Sequence, residues 1–214
     1  MKQIPFCANH PDGTHCYQAA LSMVLQGLGE VAYSFDKLDQ ITGKLPGKWT
    51  WPTQSFLWLL DHEFELRLIE TFDYEKFGKE GKKYLQDKYG KEVADSQEVN
   101  SDLEREQGLA LQFAHQKILE DRVPEWGDLE QLLKEGFLVI CNINANELFH
   151  QEGYSGHFVV LLDVTSEEIV LHDPGLPPKP SLKVSKELFE KAWSYPSQES
   201  RNLLGIRLLK PVKF

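Results

Sequence analysis

Cys16 lies where a polar turn, Gly13-Thr14-His15, meets an apolar-periodic stretch in which Ala20, Leu21, Val24, Leu25 and Leu28 recur at spacings of three and four. Those spacings predict one buried face of a helix that starts at the cysteine and stops near Gly27 or Gly29. A thiol at a helix N-terminus faces unpaired N–H groups and the positive end of the helix dipole, both of which favour its thiolate. The position therefore predicts a nucleophile. Stripped of that position, a free cysteine is among the most buried residue types and would be read as inert packing.

A thiolate nucleophile needs a base, and the base needs an acceptor that holds it in one orientation. Of seven histidines, His157 follows Gly153-Tyr154-Ser155-Gly156 and opens the apolar run Phe158 to Leu162, at a strand end where small residues leave access. Asp173 closes the next apolar run in Asp173-Pro174-Gly175, a turn signal. A hairpin turning about Thr165 predicts that positions 157 and 173 lie directly opposite on one face, with Cβ atoms ~4.5–5.5 Å apart. A one-residue slip would send them to opposite faces. The expected catalytic set is Cys16, His157 and Asp173.

The elements that must hold these residues are interleaved along the chain. Pro52 opens a second helix carrying Phe56, Leu59 and Leu60, and Phe64 to Leu68 alternates as a half-buried strand. Between Asp73 and Arg122 the character changes, with 21 charged residues in 50 and no proline between Pro52 and Pro124. Tyr74, Phe77, Tyr84, Leu85 and Tyr89 predict one amphipathic helix there, and Leu103, Ala110, Phe113, Ala114 and Ile118 another, which makes 73–122 a helical insertion with a solvated face. Glu125 to Glu135 reads as a short helix, Phe137 to Ile143 as a central strand, His157 to Val164 and Glu168 to His172 as strands, Lys183 to Ser194 as a helix, and Leu203 to Leu209 as the last strand. The expected layout is α+β, one domain over 1–214, with the cysteine in an N-terminal helical half and an antiparallel sheet in the C-terminal half.

Composition limits the function classes. At 214 residues and 41% hydrophobic content the chain can bury a sizeable core, and a net charge of −10 argues against nucleic-acid or anionic-membrane partners. Apolar runs are strand-sized, and the N-terminal segment lacks the features of a signal peptide. Three cysteines, an odd number, argue against a disulfide framework and suit a reducing, cytoplasmic setting.

The segment Cys16-Tyr-Gln-Ala-Ala-Leu-Ser-Met-Val-Leu25, together with Gly156-His-Phe-Val-Val160 and Asp173-Pro-Gly175, resembles the bacteriocin-processing cysteine peptidases, family thirty-nine of the papain-like clan, which occur on bacteriocin exporters and as stand-alone relatives. The resemblance covers motifs at both ends of the chain and leaves 73–122 unaccounted for. It implies a papain-like α+β fold, attack by Cys16, acid/base work by His157, orientation by Asp173, a peptide or amide-containing substrate, and no cofactor or metal. That family usually places an oxyanion-hole glutamine six residues before the cysteine. Here the position is His10, with Asn9 beside it, and either side chain can donate alongside the Cys16 backbone N–H. The exporter's membrane and nucleotide-binding domains have no counterpart, so leader cleavage at a double glycine is not carried over.

Rival readings stay open at this point. Cys7, His10, His15 and Cys16 offer four zinc ligands within ten residues, although the adjacent pair His15–Cys16 reaches one tetrahedral ion with difficulty. A non-catalytic peptide-binding module is the other, with Trp49 and Trp51 lining a substrate groove; tryptophans at such spacings also pack between helix and sheet. Peptide hydrolysis, deamidation and acyl transfer all use one Cys-His-Asp engine. Cys141, inside an apolar strand, reads as core.

Overall fold

Leu138, Val139, Ile140 and Cys141 are all buried, so the strand that carries them is covered on both faces. The computed structural model, which describes residues 4–209, builds a mixed α+β fold around it. Seven strands are ordered β2-β1-β7-β3-β4-β5-β6: β1 is Phe64–Glu70, β2 Leu119–Asp121, β3 Leu138–Asn144, β4 Gly156–Val164, β5 Glu168–Asp173, β6 Lys179–Ser185 and β7 Asn202–Leu208. All neighbours are antiparallel except β1 and β2.

Alternate residues of the strands feed two cores. Leu138, Ile140, Val160, Leu204 and Ile206 pack on one face under α1 (Cys16–Gly27), α2 (Phe35–Thr42) and α3 (Thr53–Leu60). The same core continues into α4 (Tyr74–Glu80), α5 (Lys82–Tyr89), α6 (Lys91–Asn100) and α7 (Leu103–Phe113). Val139, Cys141, Val159, Leu161 and Leu203 pack on the other face against α8 (Trp126–Lys134) and α10 (Lys186–Trp193). The continuous apolar run read as a sheet centre is therefore explained by cover on both sides. A short α9 (Ala145–Leu148) follows β3.

Four expectations need correction. The span 73–122 holds four helices where two were expected, because Gly81 and Gly90 sit at φ 58° and 86° and break the chain where an L-residue would be strained. Its last residues are not helical: Leu119–Asp121 pair in parallel with β1 as an edge of the main sheet. The sheet is likewise not confined to the C-terminal half, since β1 comes before it. Lys183–Ser185 belong to strand β6, and the helix begins only at Lys186, where the Ser185 hydroxyl accepts from Leu188 N–H at 3.3 Å. Helix α2 was missed although Ser34 caps it and Gly43 ends it in the left-handed conformation.

Glu106 on α7 is buried, and its Oε2 has no hydrogen-bond partner among the described residues. Burial pushes its carboxyl up to about 7, with the Asp102 charge adding and Arg105 opposing. The unfolded chain releases this proton near the ordinary carboxylate value while the folded chain keeps it. Stability must therefore fall as pH rises from about 4.5 towards 7. Glu106→Gln should flatten that slope and be the more stable protein at pH 7.5, by on the order of a few kcal/mol in urea titrations. Parallel pH profiles of the two proteins would refute the burial argument.

Candidate active site

Helix α1 starts without a side-chain cap and has no acidic residue in its first turn, so nothing on the helix itself neutralises its N-terminal amides. Cys16 is the first residue of that helix and is half-buried at the wall of a cleft of about 250 Å³. Tyr17, next in line, is fully buried against Phe158 of β4, with ring centroids 4.7 Å apart, and its hydroxyl pairs with Ser55. Gln18 donates to Thr42 and Thr50 at 2.8 Å each, which fixes α1 against α2 and the loop bearing Trp49 and Trp51.

The sheet brings the other two residues. His157 near the start of β4 and Asp173 at the end of β5 are both buried, and His157 Nε2 lies 2.6 Å from Asp173 Oδ1. The remaining ring nitrogen is left for Cys16, whose thiol feels the imidazole of His157. The expected register is wrong by two residues: β4 and β5 pair Val160 with His172 and Leu161 with Leu171, with a bulge before Asp163. Continued outward, that register puts 173 level with 159. A two-residue shift preserves the face, so the side chains meet diagonally.

The Asp173 carboxylate is held from a second side. Gly175 N–H donates to the same Oδ1 at 2.7 Å, and a Cβ at Gly175 would stand 2.9 Å from that oxygen and 3.5 Å from His157 Nε2. Only glycine lets the backbone approach this closely. The Pro174 carbonyl accepts from Asn9 N–H at 2.8 Å, tying the N-terminal segment to the Asp173 turn. His172 reinforces the tie: Nδ1 accepts from Ser181 N–H at 3.0 Å and Nε2 is 3.1 Å from the Ile4 carbonyl. Burial depresses its basicity, so this histidine works as a neutral strut.

The charges of the site are coupled. Burial alone would raise the Cys16 thiol and lower the His157 imidazole. The imidazole of His157, with the N–H groups of Phe158 and Tyr17, reverses the first and holds the thiol below its ordinary value. Asp173 and Cys16 together reverse the second and hold the imidazole above its ordinary value. Asp173 itself lies low despite burial, because of His157 and the Gly175 N–H. The arrangement favours a thiolate–imidazolium pair. By contrast burial pushes Cys7 up and Cys141 well up.

The remaining expected residues divide. Trp49 and Trp51 both line the cleft; Trp51 stacks on Phe77 at 4.9 Å and donates to Gln97 and Ser101 at 3.0 Å. Asn9 and His10 do not line it. Asn9 is buried beneath α1, its Oδ1 accepting from His15 N–H at 2.8 Å, while His10 is exposed and faces His15 and Phe35. The histidines of the zinc reading do gather, but with Asp12 in place of either cysteine: potential ligand atoms of His10, Asp12 and His15 lie within 4.8 Å of one another. Asp12 is already engaged there, Oδ1 lying 2.9 Å from His15 Nδ1 and accepting from Thr14 N–H. Sequence reasoning missed the inner cleft wall, formed by Glu70, Tyr74, Tyr89 and Asn142. Asn142 was the available signal, a polar residue interrupting an otherwise apolar strand. No helix of the described residues is long and apolar enough to cross a membrane.

No protein-family model and no curated protein matches the sequence. A solved structure described as a "putative C39-like peptidase from Bacillus anthracis" aligns over 98% of this chain and 98% of its own, with 17% identity and a TM-score of 0.49. A likeness at that level says nothing about what this chain does.

Proposed function

We propose that this chain is a cysteine-nucleophile hydrolase of peptide or amide bonds, a papain-like domain over 1–214 with 73–122 as an insertion, acting in a reducing compartment where its cysteines stay free. The observation that carries the reading is one imidazole, bonded to a buried carboxylate, that shares the wall of a cleft with a thiol at a helix N-terminus. In this reading the Cys16 thiolate attacks the substrate carbonyl carbon and its electrons pass to the carbonyl oxygen. His157 gives its proton to the leaving amine as the C–N bond breaks and a thioester forms. Water then attacks the thioester while His157 takes the water's proton, and the acid and the thiol are released. Asp173 keeps the ring in one orientation throughout and stabilises the imidazolium.

For the oxyanion, the Cys16 backbone N–H belongs to the first turn and has no intrahelical acceptor. Neither Asn9 nor His10 lines the cleft itself. Of the two, Asn9 is the better second donor because it is bonded to His15, the residue just before Cys16. The Asn9 Oδ1 is occupied by His15 N–H, which leaves the amide Nδ2 beside the start of α1, whereas His10 is turned to solvent.

Two measurements test the reading. Iodoacetamide should alkylate Cys16 before Cys7 and Cys141, with a rate that rises through a pKa below the ordinary thiol value of about 8.5. His157→Ala should move that rise to higher pH, because the adjacent cation is lost. Faster labelling of Cys7, or an unshifted profile in the variant, rules out the nucleophile. A peptide-amide activity probe, with the adduct located by mass spectrometry, should also mark Cys16 in the wild type and not in His157→Ala. Asn9→Ala should lower kcat by roughly 10²–10³ with little change in KM, and His10→Ala should not. The reverse pattern would move the donor to His10.

A further inference from the structure

The cleft does not end at the thiol. Beside Cys16 and His157 its lining includes Trp49 and Tyr154 and an aromatic chamber of Trp51, Phe72, Tyr74 and Tyr89. Tyr154 packs on Trp49 with ring centroids 6.3 Å apart and accepts from Gln97 at 3.4 Å. Gln97 in turn accepts from Trp51, whose ring lies 6.0 Å from Phe72, itself 4.8 Å from Tyr74, so these lining residues form a continuous series that leads to a carboxyl group. Glu70 belongs to the same lining. Its Oε1 accepts from the Tyr74 hydroxyl at 2.6 Å, and among the described residues no cation pairs with it. The nearest, Lys88, is turned to Thr71, donating to its carbonyl at 2.9 Å and its hydroxyl at 2.8 Å.

An unpaired carboxylate in such a place is costly, and burial accordingly pushes Glu70 up to about 7. Aromatic faces attract a cation through their ring quadrupoles, and a carboxylate beyond them supplies the counter-charge. The whole cleft, about 250 Å³, lies below the roughly 300–1,000 Å³ typical of sites for whole small molecules, so beyond the thiol it has room for one extended side chain.

We propose that this chamber takes the side chain of a lysine or arginine of a peptide substrate, its alkyl part along the aromatic walls and its charge against Glu70. The assignment rests on the reading of Cys16 as nucleophile, which makes the chamber the pocket beside the scissile carbonyl. Glu70→Gln is the informative variant, because glutamine can still accept from Tyr74 and differs mainly in charge.

The pocket is tested apart from the chemistry by titrating Cys16→Ala protein with n-butylguanidine and with the neutral pentanamide, followed by calorimetry. The guanidine should bind at least ~10-fold more tightly than the amide, and adding Glu70→Gln should abolish the difference. Equal binding of the two ligands, no guanidine binding, or a preference that survives Glu70→Gln would overturn the pocket. Fluorogenic peptides carrying arginine or norleucine before the cleaved bond complete the test in protein with Cys16 intact. Arginine should be favoured by ~10-fold or more in kcat/KM, and Glu70→Gln should erase the preference. Selective guanidine binding with no turnover of either peptide would sink the hydrolase and leave the pocket standing. Turnover favouring norleucine would sink the pocket and leave the nucleophile.

Discussion

One imidazole ring has to satisfy a carboxylate with one nitrogen and a thiol with the other, and that double demand ties two independent parts of the fold together. Asp173 and His157 belong to neighbouring sheet strands, while Cys16 begins a helix lying across one face of that sheet. Their relative position is fixed by contacts outside the trio. Tyr17 wedges against Phe158, Gln18 anchors the first turn of α1, and the Asn9–Pro174 bond straps the N-terminal segment to the aspartate turn. Each holds a distance that the ring itself has no means to enforce.

The electrostatics follow from what is kept away as much as from what is brought near. A carboxylate in the first turn of α1 would compete with a thiolate for the same N–H groups. None is present on the helix. Asp12, the nearest acid in sequence, faces His15 and Thr14, and Asp39 approaches the same histidine from α2. His15 thus gathers the local negative charge on the far side of the helix start, and the amide row is left to the sulfur.

Much of the candidate site was legible because its residues sit at element boundaries, where residue type carries local meaning. Cys16 marks a helix start, His157 a strand start, and Asp173-Pro174-Gly175 a strand end. Their pairing survived a wrong register only because strand parity repeats every two residues. The bulge before Asp163 left no trace in the apolar pattern. The chamber behind the thiol was not legible at all. It is assembled from β1, the helices of 73–122, β3 and the Tyr154 loop, distant in sequence and adjacent only after folding. The aromatic spacing of 73–122 announced helices but not their number, since Gly81 and Gly90 interrupt a pattern whose periodicity continues across them. Strand β2 is three residues long, too short for alternation to register.

That short strand changes the status of the helical span. Four helices leave the sheet after β1 and the chain returns to pair beside the same strand. The span is therefore stitched at both ends to the outer rim of the sheet. Cutting out 73–122 would remove more than a cover over the cleft: it would bare the hydrogen-bonding rim of β1 from Leu68 to Glu70, a template on which another chain can add. A shortened protein would be expected to self-associate through that rim, and a linker that preserves Leu119–Asp121 is the minimal repair.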